Sequence, residues 1–310
     1  MEFRHIPIMT KEVISGLNIK EDGIYVDGTI GGGGHALEII KHLKSGRLIG
    51  IDQDTEALEK SKEVLFDYKD KIELIHNNYE NMETILKELD ISKVDGIFLD
   101  IGISSYQIDK GSRGFSHNKD ARLDMRMDQS RYLSAWDIVN KYSVEELEDI
   151  IWNYGEESWA RRIAQFIIKE RQEKPIDTTF QLVDTIKKAI PKSVRMKGHH
   201  PAKKTFQALR IEVNRELEVL EKSITRMVDL LGPGGRLAII TFHSLEDRIV
   251  KQSFKHLYKD CVCPPEFPQC ICEKKREIEI ITRRPIVPSE EEVKLNPRSR
   301  SAKLRIAERI

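Results

Sequence analysis

The chain has 310 residues, 39 % hydrophobic and 33 % charged, with 51 Lys+Arg balanced by 51 Asp+Glu. That is enough apolar chain for a full core, which argues against disorder as the main state, and four cysteines in this length do not make a disulfide scaffold. No run approaches the ~18 apolar residues of a membrane helix, and Met1–His5 lacks the apolar stretch of a signal peptide, so a cytosolic (cytoplasmic) protein with no membrane partner is expected.

Ile24–Val26 reads as a short buried strand ending at Asp27-Gly28, and apolar positions from Leu37 to Leu43 follow at helical spacing. Arg47–Ile51 is a second strand, Glu56–Leu65 a helix, Ile72–Ile75 a third strand and Met82–Leu89 a helix. Val94–Leu99 is a fourth strand, ending at Asp100. Regular strand–helix alternation predicts a parallel sheet with crossover helices. The alternation stops over 101–133, which is polar and contains glycine, and 134–190 reads as helices only. Ser143-Val144-Glu145-Glu146 fits a capping box ahead of an apolar face of Leu147, Ile150, Ile151 and Tyr154. Trp159, Ile163, Phe166 and Ile167 mark the next helix. Apolar positions from Phe206 to Leu231 predict one long helix, stopped by Gly232-Pro233-Gly234-Gly235. Leu237–Phe242 is a buried strand, a helix follows near Ser244–Leu257, and Glu277–Thr282 and Ala302–Ala307 are two last strands. The expected fold is α/β: a sheet domain in two pieces, 1–107 and 203–310, with an all-helical domain, 108–202, inserted between them.

The string Asp27-Gly-Thr-Ile-Gly-Gly-Gly-Gly-His35 joins the first strand to the first helix. Glycines there let a ligand approach the backbone, and a helix N-terminus offers N–H groups to an anion. Asp52, at the end of the second strand, is placed to accept the hydroxyls of a ribose. The segment Gly31–Ala36 also meets the degenerate dinucleotide pattern, so the loop by itself leaves NAD open. An acid at the end of the first strand, however, is a poor neighbour for a pyrophosphate and a good one for an ammonium. S-adenosylmethionine offers an ammonium, a carboxylate and a ribose, which match Asp27, the glycine N–H groups and Asp52 in turn. Ligands of such sheets bind beyond the carboxyl ends of the strands. The loops there are Asn77-Asn78-Tyr79, Asp100–Gln107 and Thr241–Arg248. Tyr79 is positioned to flank an adenine, or to be plain core; Asp100 to work in the site, or to cap a helix; His243 to line the pocket, or to be a satisfied loop histidine.

Charge is uneven along the chain. Residues 1–107 carry 12 Lys+Arg against 20 Asp+Glu, and the remainder 39 against 31. The segments around Lys197–Lys204 and Pro297–Arg300 are basic and suit phosphate contacts, or simply a solvated surface. All four cysteines fall in Cys261-Val-Cys263-Pro-Pro-Glu-Phe-Pro-Gln-Cys270-Ile-Cys272. A thiolate metal site, a surface loop of free thiols and redox chemistry are all open for this string, and no metal is assigned to it.

Six strings together resemble a known family. They are Asp27–His35, Asp100-Ile-Gly-Ile-Ser-Ser-Tyr-Gln107, Arg113-Gly-Phe-Ser116, Leu123-Asp-Met-Arg-Met127, His200-Pro-Ala-Lys-Lys-Thr-Phe-Gln-Ala-Leu-Arg210 and Phe242-His-Ser-Leu-Glu-Asp-Arg248. The chain is similar, over nearly its whole length, to the bacterial 16S ribosomal RNA (cytosine-N4)-methyltransferases. The resemblance implies a Rossmann-like class I methyltransferase sheet with a helical insertion for substrate recognition. It implies S-adenosyl-L-methionine as cofactor and 16S ribosomal RNA, within the small ribosomal subunit, as partner. It implies methylation of the N4 amine of one cytidine in the decoding region; DNA is not expected as substrate. The cofactor contacts it implies are Gly33, Gly34, His35, Asp52, Tyr79, Asp100 and Gln107. Many amino methyltransferases carry an (Asp/Asn/Ser)-Pro-Pro-(Tyr/Phe) loop after the fourth strand, where this chain has Asp100-Ile101-Gly102-Ile103. The catalytic expectation is therefore that Asp100 or the nearby loop carbonyls accept from the amine, with Ser104 and His243 lining the pocket. A cofactor-binding protein that holds RNA without modifying it is the alternative from outside the enzymes.

Overall fold

The computed structural model describes residues 7–103, 111–196, 200–264, 266–267 and 269–310. It divides into two compact units, residues 1–102 with 217–310, and residues 103–216. The first unit is a seven-stranded sheet of β1 (Ile24–Asp27), β2 (Arg47–Asp52), β3 (Ile72–His76), β4 (Val94–Asp100), β5 (Leu231–Thr241), β6 (Ile278–Ile280) and β7 (Lys303–Arg309). The strand order is β3-β2-β1-β4-β5-β7-β6. The first five strands are parallel, and β7 runs antiparallel to both β5 and β6. This is the Rossmann-like class I methyltransferase sheet expected from the sequence, and its order reverses between β1 and β4.

Helices α1 (Thr10–Leu17), α2 (Gly34–Ile40) and α3 (Thr55–Val64) cover one face of the sheet. Helices α4 (Met82–Glu88), α11 (Glu216–Leu230) and α12 (Ser244–Tyr258) cover the other. Successive strand residues point to opposite faces. Tyr25, Leu48, Phe98, Ala238 and Ile240 therefore join one buried cluster, while Val26, Ile49, Ile97, Leu99, Leu237 and Ile239 join the other. A sheet buried on both faces explains the near-continuous apolar runs of its strands.

The second unit is helical. Its helices are α5 (Ala135–Lys141), α6 (Val144–Asn153), α7 (Ala160–Glu173), α8 (Thr179–Ala189), the single turn α9 (Lys192–Arg195) and α10 (Lys203–Asn214). The capping box at Ser143 and Glu146 is present, and Ser134/Asp137 and Thr178/Gln181 form two more. Their side chains satisfy N–H groups that the first helical turn leaves unpaired. Leu147, Ile150, Ile151, Ile163 and Ile167 pack with Leu182 and Ile186 in one core.

Three expectations change. The long helix predicted over 206–231 is two helices, because Arg215 adopts a left-handed conformation with φ of 53° between α10 and α11. Asn214, just before the break, is committed elsewhere: its amide bonds Met125 O and Met127 N at 2.9 and 2.8 Å. Second, α10 belongs to the helical unit, since Phe206, Leu209 and Val213 lie in the helical core. The unit boundaries therefore fall at 103 and 216, not at 108 and 202. The Gly232–Gly235 string does not sit in a loop; β5 begins at Leu231, and its pairing with β4 shifts register between Val94 and Gly96.

Candidate active site

The carboxyl ends of β1, β2, β4 and β5 meet at one edge of the sheet, where the glycine loop folds over them. Ile30 N–H donates to Ile51 O at 3.0 Å, and Gly31 N–H donates to Asp52 Oδ2 at 2.8 Å. Ser61 Oγ donates to Gly31 O at 2.7 Å. Gly31 and Gly33 have φ of +53° and +81°, the region where a side chain is strained. The Gly33 turn then opens α2, with Gly34 and His35 as its first residues.

Asp27 ends β1 and is 1 % exposed, its Oδ1 accepting from Thr29 N–H at 3.2 Å. Burial pushes its carboxyl up to about 8, and the charges of Asp100 and Asp52 add to the shift. Asp52 also accepts from Asp54 N–H at 2.9 Å, yet burial, with the charge of Asp54, still raises it to about 6. Asp100 ends β4, and its backbone N–H donates to Thr29 Oγ1 at 2.7 Å. Its Oδ1 is sealed from solvent with no hydrogen-bond partner. Burial and the Glu246 charge raise Asp100 to about 7.

His35 stands beside Asp100, with Nδ1 3.6 Å from Oδ2. Its Nε2 lies 2.8 Å from the carbonyl of Ile8, which can only accept, so Nε2 carries a hydrogen. Tyr79 follows β3 in a short 3-10 turn and packs with the main apolar cluster, 9 % exposed, close to Gly28 of the loop. Asn78 Nδ2 donates to Gln53 Oε1 at 3.1 Å, tying the loops after β3 and β2. His243 follows β5 and caps α12: its Nδ1 accepts from Glu246 N–H at 3.4 Å. Glu246 Oε2 accepts in return from Phe242 and His243 N–H at 2.8 and 3.2 Å.

Asp27, Gly33, Gly34, His35, Asp52, Tyr79 and Asp100 are thus brought to one edge, and β5 delivers His243 to the same edge. Ser104 and Gln107 lie outside the described residues. Two participants were missed by sequence reasoning. Thr29 positions Asp100, and only the fold reveals it. Glu246 is a fully buried carboxylate whose charge raises Asp100. Its signal was its place three residues after the helix cap.

The donor set fits a cationic ligand. Asp27, Asp52 and Asp100 have no Lys or Arg paired with them among the described residues, and a partnerless carboxylate oxygen is costly to bury. A ligand that carries an ammonium or a sulfonium would supply the missing positive charge, and the strained glycines leave room at the backbone.

The MraW methylase family model matches residues 2–310. A protein named ribosomal RNA small subunit methyltransferase H from Clostridium botulinum (strain Kyoto / Type A2) is 58 % identical over 311 residues, covering 100 % of both chains. Its namesakes from Clostridioides difficile (strain 630) and Finegoldia magna are 55 % and 58 % identical, again over 100 % of both chains.

Proposed function

This chain belongs to the MraW methylase family, and on that premise we propose that it methylates the exocyclic N4 amine of one cytidine in the decoding region of 16S ribosomal RNA. Its cofactor is S-adenosylmethionine, which supplies an electrophilic methyl group on a sulfonium. The observation that carries the reading is the Asp27–Asp52–Asp100 edge, where one buried and two half-buried carboxylates raised to about 8, 6 and 7 lie beside a glycine loop. Asp27 holds the ammonium, Asp52 the ribose hydroxyls, and the Gly33–Gly34–His35 turn the methionine carboxylate. Tyr79 and Gln107 complete the cofactor contacts.

A cytosine amine is a poor nucleophile, because its lone pair is delocalised into the ring. Alignment with the methyl group therefore supplies most of the rate. The Asp100 carboxylate accepts a hydrogen bond from the amine, fixes its direction and takes the proton that the amine loses. Thr29 holds Asp100 from behind, while His243 and Ser104 line the pocket. The target base must leave its stack to reach these groups. The basic segments near Lys203–Lys204 and Arg298–Arg300 grip phosphate, with an affinity that falls steeply as salt rises. The helical unit recognises the substrate, and that substrate is the assembled small subunit.

The test is transfer of labelled methyl to small subunits from cells lacking this protein, followed by nucleoside analysis. A single N4-methylated cytidine is the expected result. Methyl incorporation into naked 16S RNA but not into subunits would overturn the assembled substrate. RNA binding without incorporation into any form would overturn the enzyme.

A further inference from the structure

The chain between α12 and β6 leaves the sheet unit after Tyr258 and returns at Ile278. Its two ends are tied together. Glu277 N–H donates to Leu257 O at 2.9 Å. Arg276 donates to Asp260 at 2.9 Å and to Glu279 at 2.6 Å, and lies 4.4 Å over the Tyr258 ring. Beyond that base the described residues of the excursion form no apolar core of their own. Val262, Phe267 and Ile271 are 44 %, 46 % and 70 % exposed. A long excursion with neither regular structure nor core needs another source of order.

Four sulfurs converge there. The Sγ atoms of Cys261, Cys263, Cys270 and Cys272 all lie within 4.8 Å of one another. Cys270 and Cys272 are 3.5 Å apart, Cys272 and Cys261 3.8 Å. Four thiolates held about 2.3 Å from one tetrahedral centre stand about 3.8 Å apart. Backbone N–H groups also turn inward to the sulfurs. Val262 N–H donates to Cys272 Sγ at 3.4 Å, Cys263 N–H to Cys261 Sγ at 3.3 Å, and Ile271 N–H to Cys263 Sγ at 3.4 Å. Such donors stabilise negative charge on sulfur and fix its direction.

We infer that Cys261, Cys263, Cys270 and Cys272 form a structural site for one Zn2+, which cross-links the excursion between α12 and β6. The ion takes four thiolates, the four thiols release four protons, and no electron moves. Soft thiolate ligands select zinc over magnesium or calcium, which require oxygen. With all four positions filled by protein the site is closed, so it takes no part in methyl transfer.

The test is metal analysis of the full chain, purified under reducing conditions without chelator. About one zinc per chain is expected, released in step with the titration of four thiols by a mercurial. Cys270→Ser combined with Cys272→Ser abolishes stoichiometric zinc. Because that variant can misfold, cobalt replacement in the unaltered chain provides a second reading: intense d–d bands of a tetrahedral thiolate site are expected. Iron in place of zinc, a pair of disulfides under the same conditions, failure to take up added zinc or cobalt, or full zinc in a folded double variant would each overturn the inference.

Discussion

The sheet edge and the helical unit treat charge in opposite ways. In the helical unit several internal charges have been given partners. Arg113 donates to the carbonyls of Arg126 and Met127 at 2.7 and 2.9 Å, and Arg171 to those of Val139 and Tyr142 at 2.7 and 2.6 Å. Arg210 meets Glu216 through two bonds of 2.8 Å. Burial pushes the Asp124 carboxyl up, but the Arg126 hydrogen bonds outweigh it and hold Asp124 below the ordinary range. At the sheet edge the carboxylates of Asp27 and Asp100 are raised instead. A charge satisfied by its neighbours is scaffold, and a buried charge still waiting for a partner marks where a ligand goes.

The sharpest break of that contrast comes from the Arg210–Glu216 pair, whose side chains are 11 % and 6 % exposed. Glu216→Ala removes the carboxylate that accepts both of these Arg210 bonds and is expected to cost about 3–5 kcal/mol of stability. A thermal melt unchanged from wild type would sink the claim that this charge is scaffold. Asp100→Asn should do the reverse. Single-turnover methyl transfer is expected to fall by roughly a hundredfold or more, while the melting temperature holds or rises. An Asn variant with full turnover would remove Asp100 from the chemistry.

Gly33→Ala places a side chain at φ of +81°, with Ser61 Oγ only 3.3 Å from the new Cβ. About 1–2 kcal/mol of strain is expected, read by calorimetry as weaker cofactor binding. The pH dependence follows from the raised carboxylates. In the unfolded chain they titrate near ~4, and in the folded chain near about 6 to 8, so the fold holds the extra protons. Their contribution to stability is complete below ~4 and is lost as pH rises through the folded values. Melts of the cofactor-free chain should therefore fall from pH ~4 up to about 8. Cofactor affinity should rise over the same range, by up to roughly tenfold per pH step of about one for each carboxylate that must ionise, with proton release on binding. A flat binding profile would contradict the raised carboxylates. The smallest effect is Ser143→Ala, expected to cost about 1 kcal/mol of stability through the lost cap and to leave cofactor binding unchanged.

Much of this was readable in the chain. β1 to β5 show as apolar runs, and Asp27, Asp52 and Asp100 as the acids that end three of them. The capping box at Ser143 needs only four consecutive residues. What stayed hidden depends on distant contacts. The apolar spacing of 206–231 carries no mark of the turn at Arg215, because the residue that holds Asn214 there comes from another stretch of chain. Helix α1 and the short helix Glu290–Leu295 carried no flag either. The direction of β7 and the burial of Glu246 are likewise properties of the assembled sheet. Spacing proposes the four-sulfur cluster, but only the fold brings the sulfurs within reach of one centre.

The position of β7 has a consequence for synthesis. It occupies an interior place in the sheet, between β5 and β6, although its residues, Lys303–Arg309, follow those of the other six strands in the chain. The helical unit is one uninterrupted stretch and can fold while still tethered to a translating ribosome. The sheet cannot. Its β4 edge waits, through the whole translation of 103–230, for β5 to arrive, and β6 has no neighbour until β7 emerges. The nascent chain therefore passes through a stage with one finished body and one open sheet. Removing β7 would leave a gap within that sheet, because β5 and β6 are not paired with each other.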